Sequence, residues 1–182
     1  QDYEQIVVSS VMAVHKDVIN SPVWFLFFAL VSVGLLLLGG WLTYLGLDEW
    51  YYQLDFPPFQ PPPWLFTPVW VVVLACLAPA TWLVARKVEL QGPLVMAALM
   101  LYGGQVVLNG GWSLLFFTMQ RPDIALWELY ILDGVVLSMA YTYGRVSRTA
   151  ALLLIPYLVW LALSTAINLW IVQHNTFALT PG

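Results

Sequence analysis

Aromatic rings and carboxamides recur at helical spacing within long apolar runs of this sequence. In the run 93–119 these side chains are Tyr102, Gln105, Asn109, Trp112 and Phe116. Steps of three and four residues place them along one face of an α-helix. A carboxamide in an apolar segment needs a hydrogen-bond partner, and an indole ring offers a flat apolar face with one N–H donor. The stripe therefore predicts either bonds between packed helices or one wall of a small-molecule pocket.

Two other apolar runs carry the same kinds of side chain. In the run 149–172 they are Tyr157, Trp160, Ser164 and Asn168. In the run 66–85 they are Phe66 and Trp70, one helical turn apart. We expect the three stripes to face one another and not the surrounding solvent or lipid.

The sequence lacks the residue combinations typical of hydrolytic, phosphoryl-transfer or metal chemistry. Cys76 stands alone inside an apolar run, and His15 and His174 lie near opposite ends with no carboxylate cluster beside them. The six lysines and arginines are scattered through a chain of net charge −4, which offers no patch for nucleic acid. We expect no metal site, no required cofactor and no nucleic-acid partner.

Composition places these stripes in a membrane. Hydrophobic residues make up 61% of the 182-residue chain and charged residues only 9%. A helix needs roughly 20 apolar residues to cross a hydrocarbon core of about 30 Å. The runs long enough to do so are 23–45, 66–85, 93–119, 124–143 and 149–172. The sequence predicts an all-α membrane protein, with an interfacial extension at 1–21 and a single five-helix domain at 22–182.

The basic residues predict an orientation. Loops on the inner side of a membrane are enriched in lysine and arginine. Arg121 alone falls on the side of the connection between the first two runs. The opposite side, which is also that of the amino terminus, has Lys16, Arg86, Lys87, Arg145 and Arg148. We expect the amino terminus inside, and that connection and the carboxyl terminus outside.

The connection between the first two runs is rich in proline and aromatic residues. Its sequence from Trp50 to Trp70 is WYYQLDFPPFQPPPWLFTPVW. Proline has no amide hydrogen and holds φ near −65°, so we expect the prolines at 57–63 to lie outside any helix or central strand. The result would be a rigid cap over the outer end of the bundle. A plainer alternative is a loop that only ties two helices together and anchors them at the interface.

Depth brings the stripes together beneath this cap. With a rise of 1.5 Å per residue, Asn109 and Asn168 lie about 24 Å and about 28 Å from the inner starts of their runs. Trp70 lies only about 6 Å below the outer start of its run. Rings and amides thus concentrate in the outer half, which favours a lidded small-molecule pocket over simple bonding between helices.

Two carboxyl groups lie inside the fourth run. Asp133 is about ten residues from its start and beside Gly134. A carboxylate at that depth is costly unless it is neutral or paired, so we expect a protonated Asp133 bonded to a neighbouring helix. Glu128 lies nearer the helix end, and we expect it to reach the interface.

Three blocks of the sequence resemble the translocator protein family, also known as TspO/MBR or peripheral-type benzodiazepine receptor relatives. The first contains Trp50 and Tyr51 and the run P-x-F-x-PPPW-x-F-x-PVW that ends at Trp70. The others are YGGQVVLNGGWSLLFF at 102–117 and PYLVWLALSTAIN at 156–168. The resemblance extends over about 22–175 and implies a five-helix membrane protein, commonly a homodimer, that binds tetrapyrroles such as protoporphyrin.

The resemblance also implies where a ligand would lie. Its ligand contacts fall on Tyr51, Trp70, Gln105, Asn109, Trp160 and Ser164. With the residues of the stripes, the expected site is Trp50, Tyr51, Phe66, Trp70, Tyr102, Gln105, Asn109, Trp112, Tyr157, Trp160, Ser164 and Asn168. Trp70 and Trp160 also match the paired tryptophans implicated in light-dependent porphyrin breakdown in some bacterial relatives. They would be the catalytic pair if that reaction occurs here.

Departures from the family pattern narrow the ligand class. The sterol pattern of animal members needs a tyrosine followed by a basic residue, whereas this chain has Leu169 and then Gln173 or His174. Sterol binding is therefore not expected. Arg121 is the only basic residue on the expected outer side, where it would either anchor the interface or lie near a propionate.

The leading hypothesis is a membrane protein that binds a tetrapyrrole as a sensor, scavenger or transport regulator. The alternatives are a light- and oxygen-dependent porphyrin-degrading enzyme, a transporter of small molecules or sterols, and a scaffold whose dimer face matters most.

Overall fold

The computed structural model of the protein describes residues 22–175, which are almost entirely helical. The helices are α1 Pro22–Gly46, α2 Glu49–Tyr52, α3 Pro63–Ala85, α4 Val88–Ser113, α5 Pro122–Val146, α6 Arg148–Leu152 and α7 Ile155–His174. A π-helical segment at Leu114–Thr118, called the π-turn below, continues α4. The extension predicted at 1–21 and the end of the domain beyond 175 lie outside the described residues.

Five helical segments are long and apolar enough to span a membrane. They are Pro22–Gly46, Pro63–Ala85, Val88–Thr118, Pro122–Val146 and Arg148–His174. The predicted all-α bundle of five membrane-spanning helices is therefore confirmed. The spans are a few residues longer than the apolar runs, because polar and proline residues at their ends also adopt helical conformation.

Prolines begin most of these spans. Pro22, Pro63 and Pro122 are the first residues of their helices, and Pro156 is the second residue of α7. The first amides of a helix have no acceptor within it, so proline loses nothing there. The expectation that the prolines at 57–63 all lie outside a helix was wrong for Pro63, for this reason.

The third span begins earlier than predicted. Its apolar run starts at Pro93, but α4 starts at Val88 and bends at Gln91, where φ is −140° and ψ is 42°. Proline cannot donate to the preceding turn and its ring displaces that turn's carbonyl, so a bend two residues before Pro93 is expected.

Short connections make successive spans antiparallel neighbours. Arg86 and Lys87 join α3 to α4, residues 119–121 join the π-turn to α5, and Ser147 joins α5 to α6. The most extensive packing is between α4 and α5, followed by α1 with α3 and α5 with α7. Within the described residues, α1 is the most exposed span and presents most of its side chains outward.

The end of α1 touches the π-turn closely. Gly46 is buried, and a Cβ atom there would overlap the backbone carbonyl of Phe117. The absence of a side chain therefore sets how near α1 can come to the aromatic residues of the π-turn. Gly34, on the same helix, has open space where a side chain would stand.

We predict that Gly46→Ala lowers the free energy of unfolding by roughly 1–3 kcal/mol, because the added methyl forces the two segments apart. Thermal unfolding of the detergent-solubilised protein measures the change. Gly34→Ala is the matched control and should leave the unfolding midpoint unchanged or slightly raised. Equal midpoints for the two variants would show that the close approach at Gly46 does not matter.

Candidate ligand-binding site

The connection between α1 and α3 is fixed at its start by Asp48. One carboxylate oxygen caps α2 by accepting the Tyr51 backbone N–H at 3.4 Å. The other accepts Nε2 of Gln120 at 2.8 Å. Gln120 has φ of 53°, in the left-handed region that few non-glycine residues adopt. Gln120 belongs to the connection between the third and fourth spans, so its bond to Asp48 joins that connection to the one between α1 and α3.

Asn175 holds the middle of the same connection. Its Oδ1 accepts the backbone N–H of Asp55 at 2.8 Å, and its Nδ2 donates to the Asp55 carbonyl at 3.1 Å. The carboxamide thus pairs with one loop residue as a neighbouring strand would. Phe59 also lies edge-on to Trp170 of α7, with ring centroids 6.0 Å apart. The connection consequently lies across the ends of the helices.

A cleft opens beneath this connection. It contains about 380 Å³ of empty space, part of which is open to solvent. Its polar groups are few and neutral, and its other lining atoms are aromatic and aliphatic. The lining residues are Tyr51, Phe56, Gln60, Phe66, Trp112, Phe116, Phe117, Ser164, Ile167, Asn168 and Ile171.

The π-turn supplies one aromatic wall. Phe116 stacks on Trp112 with ring centroids 5.0 Å apart and an angle of 26° between the planes. The neighbouring Phe117 stands edge-on to Trp112 at 5.8 Å, and it also packs against Tyr51 at 5.7 Å. A π-turn contains more than 3.6 residues per turn, so consecutive phenylalanines both reach the cleft.

Some of the predicted site residues line this cleft. They are Tyr51, Phe66, Trp112, Ser164 and Asn168. Both polar atoms of the Asn168 side chain form hydrogen bonds: its Oδ1 accepts the Trp112 indole N–H at 3.2 Å, and its Nδ2 donates to the Pro122 carbonyl at 2.8 Å. Asn168 therefore orients Trp112 within the wall.

Other predicted residues lie deeper and bond to one another. Nδ2 of Asn109 donates to the Tyr157 hydroxyl at 2.7 Å, and that hydroxyl donates to Oε1 of Gln105 at 3.0 Å. Tyr102 is buried edge-on against Phe28 at 5.4 Å. These residues do not line the cleft; they connect α4 with α7 or with α1.

Trp50, Trp70 and Trp160 surround the cleft without lining it. Trp50 packs edge-on to Phe116 at 6.2 Å. Trp70 and Trp160 lie edge-to-face with centroids 6.4 Å apart, and Phe66 packs against Trp160 at 5.2 Å. The Phe66 ring thus belongs to the cleft wall, and the tryptophan pair stands behind it.

Sequence reasoning missed several lining residues. They are Phe56, Gln60, Phe117, Ile167 and Ile171. Gln60 is a polar residue among the prolines of the connection. The sequence predicted that this connection covers the bundle, but not that Gln60 lines the cleft. Phe117 is next to the predicted stripe in sequence, but regular helical spacing points it elsewhere.

Within residues 22–175, no charged side chain lines the cleft. Arg121 forms an ion pair with Asp123 at 2.6 Å and is not a lining residue. The hydrogen bond to Asp123 raises the pKa of the Arg121 guanidinium, which stays charged. Burial raises the pKa of the Tyr51 hydroxyl, so it stays protonated as a potential donor. Within residues 22–175 there is no group of side chains that could hold a metal ion.

The two carboxyl groups of α5 occupy different settings. Thr165 donates to Oδ2 of Asp133 at 2.8 Å, which joins α5 to α7 as expected for Asp133. Glu128 does not reach the interface. Both of its carboxyl oxygens are buried and face α4, because Gly111 leaves room for them. The expectation for Glu128 was therefore wrong.

These features define an integral membrane protein with a neutral aromatic cleft at one end of a five-helix bundle. A family model described as the TspO/MBR family matches residues 22–173. The chain belongs to the TspO/MBR family.

Similar proteins occur in animals, bacteria and archaea. Translocator protein of Bos taurus is 32% identical over 127 residues, which cover 70% of this chain and 75% of the bovine protein. Tryptophan-rich protein TspO of Chlorobaculum tepidum is 36% identical over 132 residues, covering 70% of this chain and 80% of that protein. Tryptophan-rich protein TspO of Archaeoglobus fulgidus is 32% identical over 138 residues, covering 75% and 87%.

We predict that Asn175→Ala loosens the connection above the cleft. Losing both bonds to Asp55 costs on the order of 1–2 kcal/mol, so the Asp55 amide should exchange its hydrogen roughly tenfold faster. Hydrogen exchange read by mass spectrometry or NMR measures this rate.

Gln53→Ala is the control for that experiment. The Gln53 side chain bonds to the exposed Glu49 within the same connection, at 3.4 Å, so its loss should leave the Asp55 amide protected. Equal exchange in wild type and Asn175→Ala would mean that the aromatic contacts alone hold the loop.

Proposed function

We propose that this membrane protein binds a tetrapyrrole in the cleft beneath the connection between α1 and α3, and acts as a sensor, scavenger or transport regulator. The observation that carries the proposal is the wall of aromatic rings around one neutral cleft. Tyr51 and Phe56 come from the connection, Phe66 from α3, and Trp112 and Phe116 from the third span. Planar macrocycles bury a large apolar face when they stack on such rings.

The polarity of the cleft supports one orientation for the ligand. No lysine or arginine is among the lining residues, so propionate groups have no cation inside and would remain on the solvent side. The ring would then enter between the connection and the π-turn. Gln60 and Ser164 offer neutral hydrogen-bonding groups within reach of the ring nitrogens or edge substituents.

The size of the cleft implies that the connection moves. A water-sized sphere can be centred in only about 40 Å³ of this cleft, which is far below the roughly 300–1,000 Å³ typical of ligand pockets. A tetrapyrrole is a large ligand, so the connection would rise as the ligand enters. The bonds of Asp48 and Asn175 are the contacts that such a movement would break.

The oligomeric state and orientation in the membrane are further proposals. The family resemblance supports a homodimer. The basic residues of the turns at 86–87 and 145–148, against Arg121 alone at the other end, support an inner amino terminus and an outer cleft.

We predict that Ser164→Phe weakens binding of protoporphyrin at least tenfold, because the new ring fills the cleft where the ligand would stack. Tryptophan quenching in the dark measures the affinity. Ser138→Phe is the matched control, since Ser138 lies exposed on α5 and bonds only within its own helix. Unaltered affinity in Ser164→Phe would place the ligand elsewhere.

We also predict that light does not make the protein degrade the ligand. Trp70 and Trp160 lie behind Phe66, away from the stacked macrocycle. The porphyrin absorption band should therefore fade under light at the same rate with wild type and with a Trp70→Phe, Trp160→Phe double variant. Faster loss with wild type would instead favour the porphyrin-degrading enzyme.

A further inference from the structure

A buried carboxyl group faces the third span below the cleft. Oε1 of Glu128 is 3.3 Å from the position that a Cβ atom on Gly111 would take. Both carboxyl oxygens of Glu128 are inaccessible to solvent, and neither has a hydrogen-bond partner within residues 22–175. Glu128 is about 9 Å along α5 from Pro122, so the group lies within the membrane-spanning part of the helix.

A second unpartnered polar group belongs to the same region. Gln105 is completely buried, and its Nε2 donates to no group in the described part of the chain. Its Oε1 accepts the Tyr157 hydroxyl, and the carboxyl groups of Glu128 and Asp133 lie close enough to that hydroxyl to interact with it electrostatically. Gln105, Tyr157 and Glu128 thus form a polar cluster distinct from the cleft.

The surroundings of Glu128 contain no compensating positive charge. The ranges 88–120, 122–144 and 149–173 contain no lysine, arginine or histidine. The ionisable residues on the packed spans are Glu89 and Tyr102 of α4, Tyr157 and the terminal His174 of α7, and, on α5 itself, Asp123, Tyr130, Asp133, Tyr141, Tyr143 and Arg145. Of these, Tyr157 is the group placed near Glu128.

Solvation energetics then favour the protonated acid. An ionised carboxylate in a dry interior, with neither a cation nor several donors, costs several kcal/mol. Proton uptake removes this cost and supplies an O–H donor. Asp133 differs in one oxygen: Thr165 donates to its Oδ2, whereas its Oδ1 is buried and has no hydrogen-bond partner within residues 22–175.

The cluster is adjacent to the cleft wall. Gly111, on which the Glu128 carboxyl packs, immediately precedes Trp112, and the Trp112 ring stacks on Phe116 in the wall. An ionised Glu128 would require water or new hydrogen-bond donors beside Gly111. Making room for these groups would displace the part of α4 that carries Trp112. The protonated acid fits the packing observed.

We propose that Glu128 forms a buried proton-binding site whose occupancy is coupled to ligand binding in the cleft. The coupling half of this statement rests on the proposed tetrapyrrole function, whereas the proton site does not. Because coupling is reciprocal, a ligand that favours the packed wall binds more tightly when Glu128 is protonated. Affinity should therefore fall as pH rises through the range in which Glu128 loses its proton.

Infrared spectroscopy of the full chain tests the proton site without any ligand. Wild type should show a carboxylic-acid C=O band that disappears on raising the pH. That component should be missing in Glu128→Gln, which keeps the size of the side chain, and retained in Asp133→Asn. Isotopic labelling of glutamate carboxyl carbons in wild type should shift the band without any substitution. Absence of a labelled acid band from wild type at a pH where exposed glutamates are ionised would overturn the proposal.

Protoporphyrin titrations in the dark test the coupling. Wild-type affinity should fall by roughly fivefold or more between acidic and alkaline buffer, and Asp133→Asn should behave alike. Glu128→Gln should bind with an affinity close to that of protonated wild type and lose the protein's share of the pH dependence. Ionisation of the porphyrin is common to all three proteins and cancels in the comparison.

The outcomes are distinguishable. If the affinity for protoporphyrin depends on pH equally in wild type and Glu128→Gln, the coupling is overturned. It is also overturned if the affinity responds to sodium ions at fixed pH instead of to protons. Failure of wild type to bind porphyrin at any pH removes the proposed function, while the infrared band still decides whether Glu128 holds a proton.

Discussion

A polar group inside the hydrocarbon of a bilayer has no water to bond with, and most of this structure follows from that constraint. The backbone meets it by forming helices. Polar side chains meet it by bonding between helices: Tyr143 of α5 donates to Thr81 of α3, and Thr165 of α7 donates to Asp133. Apolar packing distinguishes poorly between a helix partner and lipid, so it fixes the rotation of a span weakly. These few directional bonds therefore set which faces of the helices meet, and with them where the cleft forms.

The connection above the cleft satisfies its backbone hydrogen bonds in a different way. Prolines have no amide hydrogen, so a segment rich in them leaves few donors to satisfy and can stay ordered without a sheet or a long helix. The fixing contacts come from far away in sequence. Asn175 pairs with the backbone of Asp55, and Gln120 bonds to Asp48. These bonds are separate from those between the spans, so breaking them would leave the hydrogen bonds of the spans intact.

The fold was largely readable from the sequence, because apolar run length fixes the spans and their number. The site was readable only in part. Helical spacing correctly groups Gln105, Asn109 and Trp112 on one face of α4, but it does not reveal their partners. The cleft that Trp112 lines and the deeper hydrogen-bonded group of Gln105 and Asn109 were therefore predicted as one site. The π-turn shifts the helical phase and brings Phe117 beside Phe116, which regular spacing cannot foresee. The prediction for Glu128 was wrong because its surroundings depend on Gly111 of the neighbouring helix, which has no side chain and so leaves room for the carboxyl group.

Two adjacent residues of the third span contact the buried Glu128 carboxyl and the cleft. Gly111 accommodates the Glu128 carboxyl on one side, and Trp112 presents its ring to the cleft on the other, its N–H held by Asn168. A neutral aromatic cleft recognises ligands mainly by shape and stacking, which gives it little means of responding to charge. A proton-binding Glu128 behind the wall, as proposed, would supply that response without placing charge against an apolar ligand. The proposed separation of recognition from charge sensing follows from the same rule that shaped the bundle, since an ionisable group in such an interior must be paired, hydrogen-bonded or neutral.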